Sequence, residues 1–417
     1  MRFPKYAIAV ALLAVAPVIA HADDASTSVP ALTAPAAVPA AMKLSDSQQS
    51  HMLSLIVKRK PRLDSTPHSG AVVIDVDGTP IWRNRAYMPM LPASTMKVVT
   101  ATVALALMGP DWKPVTTVRF HDGTLTLVGG GDAMLTSDQL SKLAVLTKQA
   151  LAAKGDVAER LIVDDSLFPK PTLQAGVSTS QWRSEERPVR ALVVDRKLTF
   201  DSSLDAGKVF RTMLAKRGVQ VDFAGRGTAD GDVIASIEGV RLHSSLRTML
   251  WYSDNDIAEM TFRLSALAAG KSATWGDARK TAYETLAKLG VSTKHEVIID
   301  GSGLSRKNRA TAYFLADTLN TAAHTDKSAI LESLLPTAGL QGTLIGRFDT
   351  APAKCMYGKL NAKTGGLHDV ISLAGYAPQP DGVSRAFAMI VNGTTGISSR
   401  NNARSAIDGM AAAFSGC

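Results

Sequence analysis

The sequence has few features of a nucleic-acid-binding, nucleotide-hydrolysing or zinc-dependent protein. Its 46 lysines and arginines outnumber the 37 acidic residues, but they are scattered, and no run of five or more forms a basic arm. It contains neither the Walker motif of a P-loop nor the H-E-x-x-H motif of a zinc protease, and it has only two cysteines. Its 417 residues, 46% hydrophobic and 20% charged, are typical of a globular protein of two or three domains.

Long apolar runs are also scarce, and the one that suggests a membrane segment lies at the N-terminus. Arg2 and Lys5 precede the apolar residues Tyr6 to Ile19, which are fewer than the about 20 needed to cross a bilayer. Ala20-His21-Ala22 places small residues where signal peptidase cleaves. We therefore expect a signal peptide of residues 1–22 and an exported, periplasmic protein with no stable membrane span. Cleavage after the first alanine of that triplet, or an uncleaved anchor, is the alternative.

The rest of the chain predicts a linker followed by a folded part with an insertion. Residues 23–43 are rich in Ala, Pro, Ser and Thr, as flexible linkers are. Short strands begin the folded part, and antiparallel strands with a last helix end it, so both ends are expected to share one sheet. We predict an α/β (α+β) fold in which residues 44–108 and 235–417 form an antiparallel sheet flanked by helices. Residues 109–234 are predicted to form an inserted mixed α/β domain.

The two cysteines, Cys355 and Cys417, are predicted to form a disulfide. Exported proteins can keep such a bond, and Cys417 ends a helix expected to pack on the sheet that Cys355 precedes. We expect their Cα atoms to lie within about 7 Å of each other. Two unpaired thiols are the alternative.

A Ser-x-x-Lys motif, Ser94-Thr95-Met96-Lys97, begins a predicted helix that runs to Met108. Residues three apart lie on one face of a helix, so the hydroxyl and the amine are expected to meet. A lysine that is desolvated and near other cations loses basicity and can accept the serine proton. The motif alone is weak, because about one or two matches are expected by chance in a chain of this length. Its alternative interpretation is a Ser cap with an exposed lysine.

Two further motifs follow in the chain. Ser253-Asp254-Asn255 lies in a predicted helix from Leu246 to Ala269, and presents a hydroxyl and a carboxamide that can relay a proton and hold an amide. Lys363-Thr364-Gly365 stands at the end of a predicted strand that begins at Lys359. A strand edge with a lysine, a hydroxyl and glycine can bind a carboxylate and accept an extended peptide alongside. Taken singly, these motifs are a helix cap and a strand end.

Together, in this order, the three motifs resemble those of penicillin-binding proteins and serine β-lactamases. Further segments extend the resemblance to one family, the D-alanyl-D-alanine carboxypeptidase/endopeptidases, or class C low-molecular-mass penicillin-binding proteins (peptidase family S13). The matching segments, in chain order, are Pro92-Ala93-Ser94-Thr95-Met96-Lys97, Gly129-Gly130-Gly131-Asp132, Ser253-Asp254-Asn255, Asp300-Gly301-Ser302-Gly303-Leu304-Ser305-Arg306, Gly342-Thr343-Leu344 and Lys363-Thr364-Gly365. The resemblance covers the chain from about Leu44 to its end.

The resemblance implies a β-lactamase/transpeptidase-like fold and a serine hydrolase that acts on peptidoglycan stem peptides. Its substrate would be the terminal D-Ala-D-Ala bond, or a D-Ala cross-link to a diamino acid, with β-lactam antibiotics as covalent inhibitors. The choice between carboxypeptidase and endopeptidase stays open, because both reactions attack the same carbonyl. No metal or organic cofactor and no nucleic-acid partner is implied.

The resemblance also implies a role for each motif residue. Ser94 would be the acylating nucleophile and Lys97 its general base. Ser253 would relay a proton to the leaving nitrogen, and Asn255 would hold the substrate amide. In the third motif, Lys363 and Thr364 would bind the terminal carboxylate, and Gly365 would let the substrate approach. The backbone amides of Ser94 and Gly366 would form the oxyanion hole.

The sequence departs from the family pattern at three points. The spacing of 159 residues between Ser94 and Ser253 is shorter than expected, which implies a reduced insertion. Ala133 stands where a proline usually follows Asp132, and Gly366 stands where a serine or threonine usually follows K-T-G. None of these changes removes a catalytic side chain.

Three other interpretations compete with this one. A β-lactamase needs a base for deacylation, and Glu259 and Glu284, the acids considered, are expected to be solvated on helices. A non-catalytic wall-binding protein would have lost the nucleophile or the base. His368 and Asp369 invite a Ser-His-Asp triad, but the lysine of the first motif already supplies a base.

Overall fold

The computed structural model describes residues 43–197 and 199–417. The predicted signal peptide, and all but the last residue of the predicted linker, lie outside the described residues. Within them, no helix is long and apolar enough to span a membrane.

The described residues form eleven α-helices and ten β-strands. In chain order they are α1 Asp46–Asp64, β1 His68–Ile74, β2 Pro80–Asn84, α2 Met96–Met108, β3 Val115–His121, β4 Thr124–Val128, α3 Ser137–Lys154, β5 Arg160–Asp164, α4 Gln181–Ser184, α5 Ser202–Ala215, β6 Asp222–Arg226, β7 Asp232–Glu238, α6 Leu242–Tyr252, α7 Asn255–Ala268, α8 Trp275–Lys288, α9 Ala312–Ala323, α10 Leu331–Leu334, β8 Asn361–Leu367, β9 Val370–Pro378, β10 Ser384–Asn392 and α11 Gly396–Phe414.

The first sheet joins the two ends of the folded chain. Its strand order is β2-β1-β10-β9-β8, and every neighbouring pair is antiparallel. Strand β1, near the beginning, pairs with β10, near the end, with Val72 opposite Ala388. The prediction that both ends of the chain share one sheet is therefore confirmed.

Helices cover both faces of this sheet. Successive side chains of a strand point to opposite faces, and along β10 Ala388 and Ile390 pack with the core that contains α2 and α9. Phe387 and Met389 pack on the other face, with α1 and α11. Helix α2 is buried all round from Met96 to Ala106, as a central core helix must be, so it holds the residues at its N-terminus in a fixed place.

The second sheet is mixed and has its own apolar core. Its order is β6-β5-β4-β3-β7, with parallel pairs joining β4, β5 and β6 and antiparallel pairs joining β3 to β4 and β7. Helices α3 and α5 pack on it through Leu140, Leu143, Phe210 and Leu214. This sheet falls largely in the predicted insertion, although β7 continues past residue 234. The domain boundaries themselves stay a prediction.

Two predicted elements near the motifs are corrected by the structure. The predicted helix from Leu246 to Ala269 is two helices, because Ser253 adopts a left-handed conformation with φ 58°. Asp254 then caps α7 by accepting the N–H of Ile257 at 2.9 Å, which is the usual role of an Asp at a helix start. Strand β8 also continues through Gly365 to Leu367 instead of ending at the K-T-G motif, because its pairing with β9 extends to that residue.

The predicted disulfide is present. Cys355 and Cys417 are bonded, with their Cα atoms 6.3 Å apart and a sequence separation of 62. Both cysteines pack beside the core between the first sheet and α11. The bond therefore ties the end of the chain to the segment that leads into β8.

We expect loss of this disulfide to lower the stability of the protein substantially. Closing a loop of that length restricts the unfolded chain, which in the loop-entropy account stabilises the fold by about 4 kcal/mol. The Cys355→Ser/Cys417→Ser variant should unfold at a lower urea concentration than the oxidised wild type. Reductant should bring the wild type close to the variant and leave the variant unchanged. Equal midpoints for the oxidised wild type and the variant would contradict this expectation.

Candidate active site

Ser94 lies in a tight turn at the entrance to α2. Residues Ala93–Thr95 form a 3₁₀ turn that leads into the helix, and the Thr95 hydroxyl donates to the Pro92 carbonyl at 2.7 Å. Ala93 has φ 49°, a conformation that costs free energy in a residue with a Cβ and that is typical of functional turns. The turn presents the Ser94 hydroxyl next to the first residues of a buried helix.

Lys97 meets three oxygen atoms. Its Nζ lies 3.0 Å from Ser94 Oγ, 2.8 Å from Asn255 Oδ1 and 2.8 Å from the carbonyl oxygen of Ser302. The two carbonyl oxygens can only accept hydrogen bonds, whereas the serine hydroxyl can also donate one. A neutral amine, with two N–H groups and one lone pair, can donate to the two carbonyl oxygens and accept a hydrogen bond from the Ser94 hydroxyl, the arrangement from which a proton transfer to the amine can follow. The Ser-x-x-Lys prediction of a hydroxyl–amine contact is thus matched by the geometry.

Burial makes the amine of Lys97 a weaker base. The side chain is fully buried, and desolvation lowers its pKa to about 8, although the charges of Glu259 and Asp300 act in the raising direction. With that pKa, about one tenth of the amine is neutral at pH 7. A lysine with its pKa in this range is suited to act as a general base near neutral pH.

The second motif contributes one side chain to this contact. Asn255 begins α7, its Oδ1 accepts from Lys97, and its Nδ2 donates to the Glu185 carbonyl at 2.7 Å. Ser253 is half-buried, and its hydroxyl makes no side-chain hydrogen bond within the described ranges. Asn255 is thus hydrogen-bonded to the same amine as Ser94, whereas no hydrogen bond among the described residues joins the Ser253 side chain to Ser94 or Lys97.

The third motif lies on the edge strand of the first sheet. Lys363 is fully buried, and its Nζ donates to the Thr364 carbonyl at 2.6 Å. Burial, together with the charge of Lys97, holds the pKa of Lys363 well below its usual value. The Thr364 hydroxyl shares a 2.6 Å hydrogen bond with Thr343, so the Gly-Thr-Leu segment lies in direct contact with the K-T-G motif. The two lysines are thus electrostatic neighbours.

Glycine is required at position 365 by close packing. A Cβ on Gly365 would lie 2.1 Å from Ser372 Oγ, 2.9 Å from the Pro92 oxygen and 3.1 Å from the Ser94 nitrogen. The backbone of β8 therefore lies directly against the turn that carries the nucleophile. Because β8 is the last strand of its sheet, its outer edge is available to an extended peptide beyond the short bridge at Asn361.

The turn from Asp300 to Ser305 supplies a hydrogen-bond acceptor to Lys97, a role that the sequence did not reveal. The Ser302 carbonyl accepts from Lys97, while the Asp300 carboxylate accepts the N–H groups of Gly303 and Ser305 at 2.9 and 2.6 Å. The motif was recognised by resemblance only. Its contribution is a backbone carbonyl, which side-chain chemistry in the sequence cannot indicate.

The expectation that Glu259 is solvated is wrong. Its side chain is fully buried, and its two oxygens accept the N–H groups of Gly301 and Ser302 at 3.0 and 2.8 Å. Burial and the neighbouring Asp300 raise its pKa to about 8. Glu259 thus fixes the turn whose carbonyl holds Lys97. Glu284, in contrast, is partly exposed and forms a salt bridge with Lys271.

His368 and Asp369 do not form a catalytic triad with Ser94. The Asp369 carboxylate forms a two-fold ion pair with Arg306 at 2.5 and 2.9 Å, and His368 contributes only its backbone carbonyl, to Arg400. Within the described residues no three His, Cys, Asp or Glu side chains are grouped so that they could hold a metal ion.

A cavity of about 670 Å³ opens beside the third motif. Thr364, Gly365 and Gly366 form one wall, and polar side chains of α11 form another, among them Asn401 and Arg404. The cavity is large enough for a peptide segment next to the reacting bond.

Comparisons with known proteins agree with this geometry. The family model of the D-Ala-D-Ala carboxypeptidase 3 (S13) family matches residues 49–200 and 197–414. Carboxypeptidase DacB of Mycolicibacterium smegmatis is 32% identical over 374 residues, covering 83% of this chain and 80% of that protein. The D-alanyl-D-alanine carboxypeptidase of an Actinomadura species is 26% identical over 433 residues, covering 79% and 78%. Penicillin-binding protein 4 of Haemophilus influenzae superposes with a TM-score of 0.71 at 21% identity, covering 85% of this chain and 97% of that one, which confirms the predicted fold class.

Proposed function

The chain belongs to the D-Ala-D-Ala carboxypeptidase 3 (S13) family, and we propose that Ser94 and Lys97 are the nucleophile and general base of its reaction. The protein is a serine hydrolase of the D-Ala-D-Ala carboxypeptidase type, and the proposed cleavage is that of a carboxypeptidase, an endopeptidase or both, because both reactions attack the same carbonyl. The observation that carries the assignment of roles is the buried amine of Lys97, 3.0 Å from Ser94 Oγ, with both other partners able only to accept.

In the proposed acylation step, Ser94 Oγ attacks the carbonyl carbon of the penultimate D-Ala while its proton passes to Lys97. The carbon–nitrogen bond then breaks, and the leaving nitrogen takes up the proton that Lys97 accepted, for which Ser253 serves as the relay, so that Lys97 is neutral again. Water attacks the resulting ester, releases the shortened peptide acid and restores Ser94. The sum is hydrolysis of one amide bond, and none of these steps needs a metal or an organic cofactor.

The remaining motif residues are proposed to orient the substrate. Lys363 and Thr364 would hold its terminal carboxylate, Gly365 would allow the close approach, and the amide of Asn255 would hold the substrate amide with its remaining N–H. The amides of Ser94 and Gly366 would bind the oxyanion, a contribution of about 3 kcal/mol per donor in enzymes where it has been removed. Gly365 lies against the Ser94 amide, so the two segments that supply these donors are adjacent.

We further propose that β-lactams acylate Ser94 and that the natural substrate is peptidoglycan. Opening a β-lactam ring follows the same acylation step, but the leaving nitrogen stays tethered and blocks water. The Haemophilus influenzae protein, of the same fold, has been solved in complex with a β-lactam. Such a substrate requires export, for which the predicted signal peptide of residues 1–22 and a periplasmic location are the corresponding proposals.

A β-lactamase activity is the second candidate, and the position of Glu259 argues against it. Glu259 is fully buried, and its two oxygens accept backbone N–H groups of the turn that contacts Lys97, so its carboxylate supports that turn and is not exposed to a water that enters from solvent. Rapid, repeated turnover of nitrocefin by the purified protein would favour the β-lactamase; a single stoichiometric acylation fits the proposed function.

The direct test of the function is digestion of purified muropeptides, read by mass spectrometry. Monomers with a D-Ala-D-Ala end report carboxypeptidase activity through loss of one alanine. Cross-linked dimers report endopeptidase activity through conversion to monomers. The Ser94→Ala variant serves as the control in both digests. If neither substrate is altered by the wild-type protein, the proposed function is incorrect.

Replacing Lys363 with alanine is expected to reduce both activities at least tenfold in kcat/KM. Both substrates carry a free carboxylate at the leaving D-centre, and a hydrogen bond to a charged group is worth about 1.5–3 kcal/mol. The measurement is kcat/KM for D-Ala release and for dimer cleavage, with the exposed Lys359→Ala variant as the matched control. If Lys363→Ala releases D-Ala at the wild-type rate, the K-T-G strand is structural.

A further inference from the structure

The residue after the K-T-G motif, Gly366, faces an arginine. A Cβ placed on Gly366 would lie 3.7 Å from Arg400 Nη2 and 3.9 Å from the Val370 oxygen. These are ordinary contact distances, so the position has room for a side chain. The structure leaves it empty and places a guanidinium beside the space that a side chain at position 366 would occupy.

Arg400 is held by one end of its guanidinium. It lies in the first half of α11, and its Nη1 donates to the backbone carbonyls of Leu367 and His368, the latter at 2.6 Å. Nη2 has no hydrogen-bond partner among the residues that the structure describes. The anchored nitrogen fixes the side chain at the end of β8, and the other nitrogen remains available to a ligand.

The charge of Arg400 is not balanced by a carboxylate. No salt bridge involves it in the described part of the chain, whereas nearby Arg347 pairs with Asp408. Burial lowers the pKa of Arg404, and repulsion by Arg400 and Arg347 lowers it further, which places three positive charges near one another on this side of the first sheet. A fixed guanidinium with a free N–H and no acidic partner is a receptor for an anion.

Arg400 and Thr364 of the K-T-G motif lie on the same face of β8. Thr364 and Gly366 are two residues apart on β8, so their side-chain positions lie on one face. That face borders the 670 Å³ cavity, which gives room for a leaving group larger than alanine. In the proposed function, the carboxylate of the leaving D-amino acid lies at Thr364, which is two residues from position 366 on the same face of the strand.

From this geometry we infer that Arg400 binds the free carboxylate of the leaving D-amino acid. Its guanidinium would make the contact that a serine or threonine hydroxyl at position 366 would make. The inference rests on the proposed function and names a further substrate-binding residue for it. Arg400 thereby selects substrates with a free carboxylate at the leaving D-centre, in monomers and cross-links alike.

The test compares two peptides and four proteins. The peptides are diacetyl-L-Lys-D-Ala-D-Ala and its C-terminal amide; the proteins are the wild type, Arg400→Gln, Arg400→Gln/Gly366→Ser and Arg59→Gln. Arg59 is the matched control, because it also donates to a backbone carbonyl of α11, that of Gly409, but belongs to α1, which packs on α11. Acylation by benzylpenicillin and by its methyl ester provides the same comparison in a single-step reaction.

Arg400→Gln should lower kcat/KM for the free acid by about 10- to 100-fold, the value of a hydrogen bond to a charged group. It should change kcat/KM for the amide by less than about threefold, because only the acid carries the recognised charge. The added serine should restore part of the activity on the acid, and Arg59→Gln should behave as the wild type. The penicillin and its ester should show the same split in acylation rate.

Equal losses on acid and amide would mean that Arg400 only supports the end of β8, and no loss on either would mean that it does not meet the substrate; both results overturn the inference. A wild type that acts on neither peptide and is not acylated by penicillin would instead overturn the proposed function itself, and with it this inference.

Discussion

Ser94→Ala should abolish covalent labelling by fluorescent penicillin and lower kcat/KM for D-Ala release by at least about 10⁴-fold, since removal of a catalytic nucleophile leaves only binding and oxyanion contributions. The reason is that, among the residues the structure describes, Ser94 Oγ is the hydroxyl oxygen that lies within hydrogen-bond distance of Lys97 Nζ. The measurement is in-gel fluorescence together with steady-state kinetics on a D-Ala-D-Ala peptide.

Lys97→Ala should produce a loss of similar size, and the double variant should be little worse than either single one. Nucleophile and base act as a unit, so once one is missing the other has nothing left to contribute. Ser54→Ala, at an exposed helix position where the hydroxyl only meets the His51 carbonyl, is the matched control and should label normally. If Ser94→Ala retains labelling, another residue is the nucleophile.

The contact between Ser94 and Lys97 could be predicted from the sequence because it is local. Three residues of helix fix the relative position of the two side chains, whatever the rest of the fold does. The arrival of Asn255 at the same amine depends on the tertiary packing of α7 beside α2, which no local pattern contains. From the sequence, only the resemblance to a family indicated that the three motifs belong to one site.

The residues that surround Lys97 were harder to predict from the sequence. Glu259 lies on a helix, where an acidic residue is normally solvated, and its burial follows from the backbone N–H groups that another segment directs at it. The helix break at Ser253 has a similar cause. The sequence Ser-Asp-Asn suits a helix cap, but the apolar residues on both sides suggest one continuous helix, and the Asp254 cap decides between them. In both cases polar contacts with the backbone override a pattern of apolar residues.

The pH dependence of acylation should follow the pKa of Lys97, which burial lowers to about 8. Below that pKa the amine carries a proton and cannot accept another, so well below the midpoint kcat/KM should fall about tenfold per pH unit, and between pH 8 and pH 6 it should fall about 50-fold. At higher pH the rate should reach a plateau. The measurement is the second-order rate of penicillin acylation from pH 5.5 to 9.5.

Glu259→Gln tests the source of that midpoint. The ionised carboxylate of Glu259 is the largest contribution that raises the pKa of Lys97. Because the pKa of Glu259 is itself about 8, this carboxylate is about half ionised at the Lys97 midpoint, so its removal should move the midpoint to lower pH by part of the effect of a full charge. Gln keeps one acceptor for the Gly301 and Ser302 amides, and any loss of positioning appears as a lower plateau, not as a shifted midpoint. Glu284→Gln, at a partly exposed salt bridge, should leave the midpoint unchanged. A midpoint that stays in place or rises in Glu259→Gln would show that the protonation of Lys97 does not control acylation in the way its surroundings indicate.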